Sequence, residues 1–355
     1  MRGMSTQRAD CVDQSQNDRC SQIAQTWAQQ TFTGNESAAT DAFAHYLSIP
    51  ARRIALTSDG VGTKAAIAER LNRYDTIGFD LVAMVVDDLV ASAARPLALS
   101  NILDVDRFDE QAIDDLMRGL ATAARTAGIC VAGGEIAQLG EHVGGYGSAM
   151  HFNWCATAVG VPIERPAQRP SRPGDRILAL ASDGFRSNGM TLARTALTAA
   201  FGDAWHNQPS RIGPRWGDLL LTPSRIYSPV LADLLADGVP MLSLAHVTGG
   251  GIPGNLPRAL PPSTCAVLDD LWPPHDAMIE LAEVAAIEPS RAYQQWNMGT
   301  AFFCIVPDDA ADDIVRSLEK RDVPARIAGV VAPGTGVQID ARRWGMGCIE
   351  FRGSM

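Results

Sequence analysis

Ser58-Asp59-Gly60-Val61-Gly62-Thr63-Lys64 gathers a carboxylate, two glycines, a hydroxyl and an ammonium in one short stretch. Glycines let backbone N–H groups approach an anion, an ammonium adds a point charge, and a carboxylate offers hard oxygen to a divalent cation such as magnesium. Together they could hold a phosphate and its metal. The spacing is not that of the G-x-x-x-x-G-K-[ST] loop, and Asp-Gly-x-Gly serves equally well as a tight turn. Lysine occurs only at 64 and 320, with arginine supplying every other basic side chain, so Lys64 stands out. The pair Asp87-Asp88 adds two carboxylates that fit a metal site or a helix end turned to water. Gly133-Gly134-Glu135 repeats the glycine-then-acid pattern or makes a simple turn. Further on, Arg186-Ser187-Asn188-Gly189, Thr222-Pro223-Ser224-Arg225 and His246-Val247-Thr248-Gly249-Gly250-Gly251 set polar groups at the starts of helix-like stretches. Such starts suit an anion or an ordinary N-cap.

The elements that must position these groups follow from apolar spacing. Residues 18–30 read as a weak helix, 31–40 as a loop and 41–47 as a further helical turn. Ile54-Ala55-Leu56 is a strand leading into the glycine motif, and 65–72 a helix after it. The stretch 80–94 is a long apolar helix on which 80, 84, 87, 88 and 91 share a face. Carboxylates in so apolar an element need a cation or hydrogen bonds. Strands are expected at 97–103, 129–132 and 152–161, an amphipathic helix at 109–126, and a lid-like loop at 140–147. The Pro- and Arg-rich run 162–174 reads as a domain boundary. Beyond it come a strand (175–181), helices at 190–200, within 218–235 and at 253–260, then strand, helix, strand at 302–306, 310–320 and 325–331.

The whole chain bounds the function. Its 355 residues, 46% hydrophobic and 20% charged, are enough for two folded domains. A net charge of −10 argues against a general nucleic-acid binder. No apolar run approaches the ~20 residues of a membrane span, and the polar N-terminus lacks a signal core, so a cytoplasmic protein is expected. Seven scattered cysteines without C-x-x-C spacing fit reduced, mostly structural thiols, and the six histidines show no zinc-ligand spacing.

SDGVGTK, DTIGFDLVAMVVDDLV, GGE after a strand, RSNGMTLAR, GDLLLTPSRIYS, HVTGGGIPGNLPRALP and WNMGTAF occur in that order. Over residues 50 to 340 they closely resemble the aminoimidazole ribonucleotide synthetases, the phosphoribosylformylglycinamidine cyclo-ligases. The resemblance implies an α/β (α+β) fold in two domains: a variable segment 1–48, an ATP and metal domain 49–164 that pairs into a dimeric β-barrel, and a C-terminal α/β domain 165–355. It implies ATP and Mg2+ as cofactors, a small amide-containing or phosphorylated substrate, a homodimer, and neither nucleic acid nor membrane as partner. The implied chemistry phosphorylates a formyl amide oxygen, and an internal nitrogen then attacks to close the imidazole ring. Asp59, Lys64, Asp88 and Glu135 would be catalytic, with Asp59, Asp87, Asp88 and Glu135 around the metal. Nucleotide would meet Asp59, Gly60, Gly62, Thr63, Lys64, Asp88, Gly133 and Gly134. Arg186, Ser187, Asn188, Thr222, Arg225, His246, Thr248, Gly249, Gly250 and Asn297 would face the substrate.

The chain also departs from that pattern. The family's glycine-rich loop before the first Asp motif is reduced to TFTGNESAATDAFAHYL, with a single Gly34. Asp87 stands where the family usually has Asn. Gly-Glu-Thr-Ala-Glu-Met becomes Gly134 to Leu139 (GEIAQL), Tyr-Asp-Leu becomes Phe152-Asn153-Trp154, and Leu-His-Ser-Asn-Gly becomes Phe185-Arg186-Ser187-Asn188-Gly189. Three readings stay open: the purine-pathway cyclo-ligase, a paralogue of specialised metabolism that activates another amide with ATP, and a catalytically weak binding subunit. Selenophosphate synthetases and hydrogenase-maturation homologues fit less well. Cys11 and Cys20 lack a nearby lysine, and Cys348 is not terminal.

Overall fold

The computed structural model describes residues 43–49 and 52–352, with Arg19, Ile23, Thr26 and Gln30. The expected helix 18–30, loop 31–40, Gly34, Cys11 and Cys20 otherwise lie outside the described residues.

The first half is a mixed sheet covered on one face. β1 (His45–Ile49) and β2 (Arg52–Gly60) form an antiparallel pair, with Tyr46 opposite Ala55. The helix expected at 41–47 is therefore a strand from His45 on, because Tyr46, Leu47 and Ile49 find cross-strand partners. α1 (Ala65–Leu71) and α2 (Ile77–Ala91) follow, then β3 (Ala94–Val105), α3 (Glu110–Ala127), β4 (Cys130–Gln138) and β5 (Phe152–Pro162). Strand order is β1-β2-β5-β3-β4, with only β3 and β4 parallel. Asp109 caps α3 by accepting from the N–H groups of Gln111 and Ala112, and Gly128 ends it at φ +68°. α2 is apolar nearly all round, as a helix enclosed on every side must be. It packs on α3 and on β2, β3 and β5. The α2–α3 contact is close: a Cβ on Gly119 would lie 2.2 Å from the Asp75 carbonyl oxygen.

The other face of this sheet is open. Ile102 and its partner Glu135 are exposed there, while Val131 and Ile136, opposite buried Leu99 and Leu103, are exposed on the other face of the edge strand β4. Among the described residues the sheet is not closed into a barrel.

Residues 163–175 carry neither helix nor strand. The second half comprises β6 (Arg176–Ala181), α4 (Met190–Phe201), α5 (Trp216–Leu220), α6 (Ser228–Ala236), β7 (Ser243–His246), α7 (Gly251–Asn255), β8 (Thr264–Leu268), α8 (Asp276–Val284), α9 (Pro289–Gln295), β9 (Thr300–Val306), α10 (Ala311–Glu319), β10 (Ala325–Pro333), β11 (Gly336–Asp340) and β12 (Cys348–Phe351). Seven strands run β12-β11-β8-β10-β6-β9-β7. The helical stretch expected within 218–235 is interrupted between α5 and α6. Pro223 cannot continue a helix, and the gap leaves Thr222 to Tyr227 free to reach the first half. α2 also contacts α6 and β7, so one helix serves both halves.

Candidate functional site

Two carboxylates of the first half lie within electrostatic reach of each other, near where the halves touch. Asp59 ends β2, with Oδ1 accepting from the Gly60 N–H at 2.7 Å. Asp88 lies on the last full turn of α2 and is the one partly exposed carboxylate of that helix. Burial raises Asp59 to about 6, aided by the charge of Asp88 and opposed by the Gly60 N–H. Burial likewise raises Asp88 to about 7, while Arg258, Arg186 and the Thr57 hydroxyl pull it down. A divalent cation would relieve both strains at once. Two carboxylates, completed by water and phosphate oxygens, make an ordinary magnesium donor set, so these residues fit the ion. No group of three or more His, Cys, Asp or Glu able to hold a metal occurs among the described residues.

Glu135 does not join them. Asp59 pairs with Ala156, Ala156 with Asn101, and Asn101 with Gly134, all on the covered face. Glu135 instead pairs with Ile102, which pairs with Cys155 on the open face. Within one chain it is turned away from Asp59.

Asp87 is held by the second half instead. It is fully buried, and Oδ1 accepts from the N–H groups of Tyr227 and Ser228, each at 2.9 Å. Oδ2 pairs with Arg186 Nη2 at 3.2 Å. Burial pushes its carboxyl up, and His246, Arg186 and the two N–H groups oppose that. A residue expected to add charge to a metal site instead has its own counterion.

Lys64 is also enclosed, at 0% exposure. Its Nζ donates to Asp80 Oδ1 at 2.8 Å and to the Thr222 carbonyl at 2.6 Å. Ser224 and Ser187 also donate to Asp80 Oδ1, at 2.5 and 3.4 Å. Burial lowers the ammonium's pKa, with Asp80 opposing. In this conformation Lys64 ties α2 to the second half, with its ammonium held by Asp80 and the Thr222 carbonyl. Asp80 is the partner that sequence reading placed on the helix face without assigning a role.

Several substrate-side expectations also prove buried. Arg186, Ser187, His246 and Asn297 are at most 7% exposed. Asn297 donates to the Gly184 carbonyl at 2.8 Å, and Arg225 donates two hydrogen bonds to the Asp183 carboxylate. The Thr222 carbonyl is the one that receives Lys64. Asn188 and Thr248 are partly exposed and Gly249 exposed, with the Asn188 Oδ1 3.6 Å from where a Gly249 Cβ would stand. Thr63 and Thr191 share a hydroxyl hydrogen bond of 2.9 Å between the halves, beside exposed Gly62, while Gly133 and Gly134 lie away on β4. Gly250, at φ +87°, leads into α7.

Arg258 was not singled out from sequence, although it sits inside HVTGGGIPGNLPRALP. It is the leading positive influence on Asp88. With Arg165, Tyr46, Ser92 and Leu244 it also lines a pocket of about 600 Å³ beyond the end of α2. The loop 140–147 is clamped rather than free. Tyr146 N–H donates to Glu69 at 2.7 Å, its hydroxyl donates to Asp203 at 2.8 Å, and Arg70 stacks 3.6 Å above its ring.

Comparison with known proteins decides the family. Residues 40–161 match the model for AIR synthase related protein, N-terminal domain, and residues 172–342 its C-terminal domain. The chain belongs to the AIR synthase family. A phosphoribosylformylglycinamidine cyclo-ligase of Anaeromyxobacter sp. is 33% identical over 346 residues, 93% of this chain and 97% of that one. A protein of the same name from Rippkaea orientalis is 33% identical over 283 residues, 79% and 81% of the two chains. A solved HypE-HypF complex contains a chain that superimposes with a TM-score of 0.63 at 19% identity, covering 90% of this chain and 95% of that one; that likeness is one of fold. Among the described residues of this AIR synthase family member, no helix is long and apolar enough to cross a membrane.

Proposed function

We propose that this chain is a Mg2+- and ATP-dependent cyclo-ligase that converts an amide oxygen into a phosphate leaving group and lets an internal nitrogen displace it. Formylglycinamidine ribonucleotide, giving aminoimidazole ribonucleotide, is the favoured substrate. The observation that carries the reading is that Asp59 and Asp88 lie within electrostatic reach of each other, both held above the usual carboxylate range by burial, in a chain of this family. Phosphoryl transfer chiefly needs positioned phosphates and charge stabilisation, and this pair can hold the cation that supplies it. On this reading Asp59 and Asp88 hold magnesium while Gly60, Gly62 and Thr63 approach the nucleotide. Asn188, Thr248 and Gly249 contact the substrate. Arg165 and Arg258 in the adjoining pocket give a phosphorylated molecule two guanidinium partners.

The same reading makes the chain a cytoplasmic homodimer. The open face of β3 and β4 supports this, since exposed Ile102 would be covered by a second copy, closing the two sheets into a barrel. Glu135 lies on that face and would reach a nucleotide only through the partner.

Incubation with Mg-ATP and formylglycinamidine ribonucleotide, with detection of the imidazole product and ADP, tests the proposal. A second reading, a paralogue acting on a different amide, rests on Gln138, where a second carboxylate of the β4 motif is lost. It predicts ADP release with another amide and none with the purine intermediate. Absence of nucleotide binding in calorimetry would overturn both.

A further inference from the structure

Asp87 and Arg186 lie 99 positions apart and are each at most 3% exposed, yet their charges meet. The Arg186 guanidinium makes three contacts of different kinds. Nη2 pairs with Asp87 Oδ2 at 3.2 Å and donates to His246 Nε2 at 2.9 Å, and Nη1 donates to the Arg225 carbonyl at 2.9 Å. A guanidinium has only donors, so Nε2 must be the accepting nitrogen. The imidazole proton is then on Nδ1, which lies 2.8 Å from Asp88 Oδ1. The ring is held flat against Phe302, with centroids 5.7 Å apart and planes 23° apart. Arg186 adopts φ +60°, a left-handed backbone that a bulky side chain takes only when its surroundings over-determine it. Arg186 and His246 come from the second half, Asp87 and Asp88 from α2.

We propose that Arg186 is a positioning residue: charge-paired with Asp87, it caps His246 Nε2, confines the imidazole to its Nδ1–H tautomer, and through that N–H orients Asp88. His246 then has no free nitrogen and serves as a neutral spacer, not as an acid or base. The consequence for metal binding rests on the reading of Asp88 given above; the tautomer does not.

Two measurements test it. Nitrogen-15 NMR of the histidine rings, with His246 assigned by its loss in His246→Asn, should show a pure Nδ1–H tautomer in the nucleotide-free protein. An Nε2–H form or a mixture would overturn the proposal whatever reaction the protein performs. The variant Asp87→Asn/Arg186→Met removes both buried charges together, which avoids an unpaired ion and preserves the fold. It should show mixed tautomers and bind Mg-ATP about tenfold or more weakly in calorimetry, the size of effect seen when the outer partner of a metal ligand is lost. His246→Asn, whose amide can replace the Nδ1–H donor, should keep affinity within about threefold, whereas His246→Phe should lose as much as the double variant. If the double variant keeps a pure Nδ1–H tautomer and undiminished affinity, Arg186 is only a buried counterion and the proposal fails.

Discussion

At the scale of single residues, burial and partner decide what each charged group can do. Asp59 and Asp88 are held at about 6 and about 7, above an unfolded value near 4. Between about pH 4 and pH 7 the folded chain therefore binds more protons than the unfolded chain, so its stability falls as pH rises through that window. Thermal melts without divalent cation should show this decline, and Asp59→Asn should flatten it. If magnesium binds the ionised pair as proposed, it should raise the melting temperature more at pH 8 than at pH 5. Asp88→Asn should cut turnover at least about 100-fold in steady-state assays, more than loss of an outer-shell partner costs. Lys64→Met should act differently. It strands Asp80 in the interior and should cost about 3–5 kcal/mol in denaturant unfolding. Sequence reading found Lys64 because lysine is so scarce in this chain, but could not see that Asp80 waits one helix away. It likewise read Asp87 as an added metal ligand, because nothing local announces an arginine 99 residues downstream.

At the scale of elements, most of the first half was legible. The helix expected at 109–126 is Glu110–Ala127, and the strand expected at 152–161 is Phe152–Pro162. Apolar period and the Asp109 and Gly128 caps act locally, so a local reading finds them. The failures are non-local. His45–Ile49 is a strand because β2 is there to pair with it. The face taken by Glu135 depends on the register of β3 against β4, which shifts between Leu99 and Ser100, and one residue of slip exchanges the two faces of a strand. Two elements invite direct tests. Gly119→Ala drives a methyl into the Asp75 carbonyl and should destabilise by about 1–3 kcal/mol in urea unfolding, the usual cost of overpacking. Ile102→Glu places a charge in the middle of the open sheet face. In sedimentation velocity it should shift the proposed dimer to monomer with little change in monomer stability.

At the scale of the whole molecule, the two halves are stitched together by hydrogen bonds and ion pairs that cross between them. Lys64 reaches the Thr222 carbonyl, Arg70 reaches Asp203, Arg73 reaches Asp218 and Arg95 reaches Asp233. Calorimetry should accordingly give one unfolding transition, coincident by near- and far-UV circular dichroism; two separated transitions would show that these ties contribute little. The Asp87–Arg186 pair has a consequence for domain exchange. A relative with an uncharged Asn and a titratable His at these positions would share the outline of the fold but not its internal charge balance. A chimera joining this chain's first half to such a relative's second half would bury Asp87 without its guanidinium, and the reciprocal chimera would bury Arg186 without its carboxylate. The halves should therefore be interchangeable only when residues 87 and 186 travel together, which makes this one contact a compatibility code between domains.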